Sequence, residues 1–315
     1  MKYKIAFTGL GSIAKRHIKN VCAYLNSRGD EYTIDLYRSS LGRDLPEEVA
    51  PFISSERLFA DELESDVQYD IVFITNPTSM HYETLLKFKD HSKAFFIEKP
   101  VFDSTDVDKS IFSELKDKIC YVACPLRYNP VLQYVKNNID LSKVYSARAI
   151  SSSYLPDWRP GQDYRNTYSA HKELGGGVAI DLIHEWDYLT WLFETPDTLY
   201  TIQTKISGLE IDSDDVSLYI ARTGNTMIEL HLDYFGREPI RILQLFMADD
   251  TVECDIIKGT VHYLKSGHIE TLDSERNGYQ MREIEHFFDI IEGRVMNDST
   301  PEHGFEVLKL AKGEI

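Results

Sequence analysis

The first 123 residues alternate short apolar runs with helical stretches, and this rhythm restricts the fold more than any other property of the chain. Strands are predicted at 3–8, 32–37, 69–75, 93–98 and 120–124, and helices at 12–27, 81–90 and 104–118. "YDIVFIT" (69–75) is apolar without polar alternation, which suits a strand buried on both faces of a parallel sheet. The alternation predicts an α/β domain over residues 1–123 with a doubly wound parallel sheet of the Rossmann type.

Beyond residue 123 the texture changes. One helix, at about 129–139, is followed by β-rich text, and "RTGN" (222–225) reads as a hairpin turn. A helix is expected at 277–293. Residues 124–315 are therefore predicted to form a second, α+β domain for substrate binding and oligomerisation, on an open, mostly antiparallel sheet. A length of 315 residues suits two such domains.

The formal net charge of −17 repels nucleic acid and anionic membrane, so neither is expected as a partner. No stretch approaches the roughly 20 apolar residues that span a bilayer. Four cysteines (22, 120, 124, 254) without a Cys-x-x-Cys pair fit reduced thiols in a cytoplasm. "MKYK" before "IAFTGLGSIA" has the order of a secretory leader, but its two glycines and the basic residues that follow fit a strand, a turn and a helix start better.

That turn, "GLGSIA" (9–14), is the first candidate site. Gly9 permits the tight turn, Gly11 lets backbone approach a pyrophosphate, and Ala14 lets the helix pack close to the strand. Ser12 and Ile13 open the helix, whose free N–H groups face the phosphates. At the tip of the second strand stand Tyr37, Arg38, Ser39 and Ser40, while Asp35 lies inside the strand. Arginine and hydroxyls there favour the 2′-phosphate of NADP(H) over NAD(H); taken alone, Arg38 is equally well a solvated loop residue.

Three further constellations stand out. "FFIEKP" puts Glu98, Lys99 and Pro100 at the carboxyl end of an inner strand, the edge that faces ligands in an open α/β sheet. In "GGGVAIDLIHEWDYLTWLF" (175–193) three glycines precede one helix, with Asp181, His184 and Tyr188 on one face and Leu182, Trp186, Leu189 and Phe193 on the other. A carboxylate one turn from an imidazole suits proton transfer, although a solvated helix face explains Asp-x-x-His as well. No ligand spacing supports a metal. The long segment 151–177 carries Trp158, Arg159, Tyr164, Arg165 and Tyr168, suited to packing on sugar rings and holding anions.

"GLGSIAKRH", "TNPTSMHYE", "IEKP", "RYNP" and "GGGVAIDLIHEWD", in this order, resemble the glucose–fructose oxidoreductase / inositol dehydrogenase / MocA family over nearly the whole chain. The resemblance implies nicotinamide-dependent redox chemistry on a sugar, polyol or sugar derivative, with nucleotide sugars of surface-glycan synthesis among the candidates. It implies a homodimer or homotetramer. It also assigns Asn76, Pro77 and His81 to the cofactor's neighbourhood, with Glu98, Lys99 and Arg127. Lys99 and His184 take catalytic roles, and Asn129 lies near the substrate with Trp158, Tyr164, Arg165 and Tyr188. Many members place the aspartate four residues before the histidine, whereas Asp181 is three before, which leaves its part as a catalytic partner open. Two other functions share the fold: a non-catalytic NAD(P)-binding regulator, and an enzyme that processes glycosides through tightly held NAD.

Overall fold

A computed structural model describes residues 1–315 and divides into two units. The first comprises Met1–Ala123 and Gln280–Phe305; the second comprises Cys124–Tyr279 and Glu306–Ile315.

In the first unit six parallel strands form one sheet: β1 (Lys2–Thr8), β2 (Glu31–Arg38), β3 (Ser55–Leu58), β4 (Tyr69–Ile74), β5 (Ser92–Ile97) and β6 (Ile119–Val122), in the order β3-β2-β1-β4-β5-β6. The order reverses between β1 and β4, and the crevice beyond the strand ends at such a point is where open α/β sheets bind ligands. Helices α1 (Ser12–Arg28), α2 (His81–Phe88) and the short α3 (Ser110–Glu114) lie between the strands. The expected helix 104–118 contracts to α3. Ser104 and Asp108 side chains accept the N–H groups of Asp106 and Ser110, so local turns win over helix there.

Every residue of β4 from Ile71 to Ile74 is fully buried, as the uninterrupted apolar run requires. Each such side chain contributes roughly 1.5–3 kcal/mol over leaving it in water. Residues 280–305 join this unit rather than the second. Phe287 packs its ring on Phe73, Phe96 and Tyr121 at 5.9, 5.2 and 5.6 Å between centroids.

The second unit holds α4 (Pro130–Asn138), β7 (Val144–Ser152), α5 (Val178–Asp181), α6 (His184–Phe193) and strands β8 (Thr198–Thr204), β9 (Val216–Thr223), β10 (Thr226–Asp233), β11 (Ile240–Met247), β12 (Thr251–Asp255), β13 (Thr260–Tyr263) and β14 (Ile269–Thr271). The sheet order is β14-β13-β12-β11-β7-β10-β9-β8, antiparallel except for β7 with β10. One sheet face is core: Ala147, Ala149, Ile228, Leu230, Leu243 and Leu245 are buried. On the opposite face Tyr200, Ile202, Leu218, Ile220 and Met227 are exposed. Helix α7 (Arg276–Ile291) and helix α8 (Pro301–Ala311) each contain a unit boundary.

The expected single helix over 178–193 is two. Leu182 leaves helical geometry (φ −99°, ψ 25°), and α6 starts anew at His184. Asp181 and His184 thus belong to different helices, and the wheel that grouped them with Tyr188 does not apply. Tyr188 is fully buried, with the core residues Trp186 and Leu189 beside it in sequence.

Candidate active site

In the first unit the glycine turn is built by close backbone approach. Gly9 has φ +80°, and its N–H donates to the Tyr37 carbonyl at 2.8 Å. A methyl group at Gly9 would lie 2.9 Å from the Asn76 Cα, so the turn and the Asn-Pro segment meet only because residue 9 lacks a side chain. Gly11 precedes α1 with no protein atom within 4 Å of where its Cβ would stand. Helix α1 has no side-chain cap and no acidic residue in its first turn, so its leading N–H groups face outward beside open space. Ala14 is fully buried, as close helix–strand packing demands.

Asn76 donates from Nδ2 to Thr84 Oγ1 at 2.7 Å, while its buried Oδ1 has no partner. An orphan acceptor beside a bare glycine turn and an uncapped helix start is a donor set that fits a dinucleotide: N–H groups for phosphates and an amide oxygen for a hydroxyl or amide.

His81 knits the cradle together. It is buried, with Nδ1 3.0 Å from the Pro100 carbonyl and Nε2 3.1 Å from the Asn76 carbonyl. Burial holds its pKa below the usual 6.5 against the upward pull of those carbonyls and of Glu98. Glu98 is itself fixed: its Oε1 lies 2.5 Å from Nε2 of the buried His17, on α1. Burial alone would raise the Glu98 pKa, but the His17 hydrogen bond and the charges of His17, Lys99 and His81 bring it below the ordinary 4.5. Glu98 Oε2 accepts the Lys99 N–H at 3.3 Å, and the Lys99–Pro100 peptide bond is cis.

At the tip of β2, Arg38 donates to the Arg43 carbonyl at 2.9 Å and pairs with Glu56 on β3. Ser39 and Ser40 are exposed. Asp35 is buried beneath them, accepting from Ser55 Oγ at 2.7 Å and Tyr69 OH at 2.8 Å.

In the second unit the best-defined polar group is the Asp181 carboxylate. Its Oδ1 accepts from Tyr168 OH at 2.6 Å and its Oδ2 from Tyr234 OH at 2.5 Å. Burial and the adjacent carboxylate raise the pKa of both phenols, so both remain donors. Trp158 stacks edge-on against Tyr234 at 5.2 Å and donates to Ser153 Oγ at 2.9 Å. The glycine run before α5 is steric: a Cβ at Gly176 would fall 2.0 Å from the Tyr168 carbonyl. His184 opens α6 and is partly buried.

The remaining assigned residues have local partners of their own. Arg127 is buried and bidentate on Asp187, Nε to Oδ2 at 3.0 Å and Nη2 to Oδ1 at 2.6 Å. Asn129 caps α4, accepting the Val131 N–H at 2.9 Å. Tyr164 OH accepts the Glu210 N–H at 3.1 Å, and Arg165 pairs with Asp163 and Glu210. The structure therefore gathers Gly9, Asn76, His81 and Glu98 in one unit, and Tyr168, Asp181 and Trp158 in the other.

Sequence reasoning missed three residues of these clusters. His17 stands inside the quoted motif but carried no assignment. Tyr234 gives no local signal, because only the sheet brings it to Asp181. Glu185, next to His184, is buried against Arg241 at 2.6 Å; burial raises its pKa and Arg241 opposes the rise.

Residues 3–123 match the model of an oxidoreductase family, described as having an NAD-binding Rossmann fold. The scyllo-inositol 2-dehydrogenase (NAD(+)) of Bacillus subtilis (strain 168) is 27% identical over 199 residues, covering 60% of this chain and 53% of that protein. The inositol 2-dehydrogenase of Rhizobium meliloti (strain 1021) is 25% identical over 229 residues, covering 70% and 65%. The matches thus span about half to two-thirds of the length of these curated relatives. Among solved structures, UDP-N-acetylglucosamine 3-dehydrogenase from Acidithiobacillus ferrooxidans superposes with a TM-score of 0.78 at 19% identity, covering 100% of this chain and 97% of that one. That last likeness speaks for the fold, both sheets included. The glycine turn and the strand order agree with the family match: residues 3–123 are similar to the NAD-binding Rossmann fold of the Gfo/Idh/MocA oxidoreductase family.

Proposed function

We propose that this chain is an NAD(P)-dependent dehydrogenase that moves a hydride between nicotinamide and a carbinol or carbonyl carbon of a sugar, polyol or sugar derivative. The observation that carries the reading is the cradle of Gly9, Gly11, the uncapped start of α1 and the orphan Asn76 Oδ1, with Lys99 following directly at the end of β5. The named activities of the relatives, on inositols and on a nucleotide sugar, support the substrate class.

Gly9, Gly11, Ser12, Ile13 and Ala14 would hold the pyrophosphate, and Asn76, Pro77 and His81 would form the adjoining wall. A nicotinamide dinucleotide held there would supply or accept the hydride. In the oxidation direction we assign His184 the role of proton acceptor and the Lys99 ammonium that of hydrogen-bond donor to an oxygen on which negative charge develops. Asp181, with both oxygens engaged by tyrosines, is a fixed carboxylate that accepts a further substrate hydroxyl. For cofactor choice we place NADP(H) ahead of NAD(H), with Arg38 exchanging Glu56 for the 2′-phosphate. The four free, buried cysteines support a reducing cytoplasm as its compartment. No helix is long and apolar enough to cross a membrane.

The test is a panel of sugars, polyols and nucleotide sugars assayed at 340 nm with each cofactor. Lys99→Ala and His184→Ala are expected to lower turnover by about 10²- to 10⁴-fold while NAD(P) affinity stays near that of the wild type. Wild-type turnover in both variants overturns the assignment. Release of NAD(P)H in proportion to substrate separates this reading from glycoside processing through tightly held NAD. A regulator would bind the dinucleotide and turn nothing over. Arg38→Ala is expected to raise KM for NADP(H) selectively, and equal changes for both cofactors remove the NADP preference.

A further inference from the structure

The chain carries far more acids (51) than basic residues (34), so a carboxylate is available for most arginines. Arg28, Arg38, Arg127, Arg148, Arg165, Arg241 and Arg294 are all in ion pairs. Two exposed arginines of the second unit are held differently. Arg159 lies over the Tyr168 ring at 5.4 Å, and Arg237 over the Tyr154 ring at 3.8 Å. Neither guanidinium pairs with a carboxylate, although Asp157 and Glu238 are close to them in sequence. A guanidinium on an aromatic face keeps its in-plane N–H donors for another partner.

The segments carrying these arginines are tied together and fixed. Leu155 N–H donates to the Tyr234 carbonyl at 2.9 Å, and Trp158 packs on Tyr234. Asp233 Oδ1 accepts the N–H groups of Phe235 and Gly236 at 3.0 and 2.7 Å and the Ser152 hydroxyl at 2.9 Å, which sets the turn before Arg237. Tyr168, the ring under Arg159, and Tyr234, three residues before Arg237, are the two phenols that grip Asp181. Both cations therefore flank the cluster that the proposed function assigns to the substrate. Acidic groups in that cluster are already committed: Asp181 to its tyrosines, Asp233 to its turn, and Asp214 to the Ala179 N–H and Ser217.

We infer that Arg159 and Arg237 form an anion-recognition subsite, and that the substrate is an acidic sugar derivative bearing a carboxylate or a phosphoryl group. The inference rests on the reading of this unit as a sugar-binding site. Two preorganised forks suit the planar oxygens of either anion, and a neutral sugar would leave both without a partner.

Calorimetric titration of the full chain with NAD⁺ present reads binding whether or not hydride moves. The ligands are D-glucuronate, glucose 1-phosphate and UDP-N-acetylglucosamine, each set against its neutral parent, glucose or N-acetylglucosamine. At least one anionic ligand is expected to bind about tenfold or more tightly than its parent, with affinity falling as salt rises. That preference is expected to drop by about tenfold or more in Arg159→Gln and Arg237→Gln. Arg159→Lys and Arg237→Lys, which keep the charge, recover part of it. Which ligand responds distinguishes a carboxylate from a phosphoryl group. Equal affinity for anion and parent, no binding by any of the three anions, or wild-type preference in both glutamine variants overturns the inference. Absence of turnover at 340 nm despite arginine-dependent binding would instead overturn the dehydrogenase reading and leave the subsite standing.

Discussion

Gly9 and Gly11 stand two residues apart and are expected to fail in different ways when a methyl group is added. Gly9→Ala combines a positive φ with a 2.9 Å approach to the Asn76 Cα. It should cost about 1–3 kcal/mol of stability, read as a lower midpoint in urea unfolding. Gly11 has φ −76° and open space around it, so Gly11→Ala should unfold like the wild type. Its loss should be in dinucleotide affinity, measured by fluorescence titration, because the methyl group occupies the space a pyrophosphate needs. Buried Arg127 and Asp187 are expected to couple strongly. Asp187→Asn should destabilise by about 3–5 kcal/mol, since it leaves a buried guanidinium without its bidentate carboxylate. The sequence showed Gly9, Gly11 and Ala14 because a turn motif is local. It could not show the carboxylate partner of Arg127 or the tyrosine on Asp181 Oδ2, which come from residues 60 and 53 positions away.

At the scale of elements, the end of β5 depends on α1. His17 lies five residues beyond Ser12, where α1 begins, and reaches Glu98, so the glycine helix and the Glu-Lys-Pro turn act as one piece. Glu98 has a pKa depressed in the folded state. The unfolded chain therefore binds its proton first as pH falls, and the stability this group contributes is present above pH 4.5 and lost below it, through the folded pKa. Thermal melting across pH 6 to 3 should show that loss in the wild type and a shallower slope in Glu98→Gln. The break at Leu182 shows the limit of periodicity. A helical wheel assumes an unbroken helix, and the apolar pattern of 178–193 gave no sign that the chain would restart at His184. The contraction of 104–118 to α3 comes instead from side-chain–backbone hydrogen bonds that compete with helix.

For the molecule as a whole, the outer face of the second sheet matters most. Paired rows bring Tyr200 beside Ile220 and Ile202 beside Leu218, and all four are exposed. Such a contiguous apolar face is what a second copy of the chain would cover. We expect sedimentation to report a dimer or tetramer, and Ile202→Glu with Ile220→Glu to shift it to monomer; a monomeric wild type would remove this expectation.

The sequence by itself determined five of the six strands of the first unit, helices α1 and α2, the glycine turn and the order of the five motifs, because each depends on residues close together in the chain; it missed the short β3 (Ser55–Leu58). The tertiary structure alone decided that 280–305 completes the first unit, that Glu98 rests on His17, and that two tyrosines from different segments hold Asp181. Those depend on packing and on hydrogen bonds between distant segments, whose partners are chosen only when buried polar groups must be satisfied at the same time as the apolar core closes.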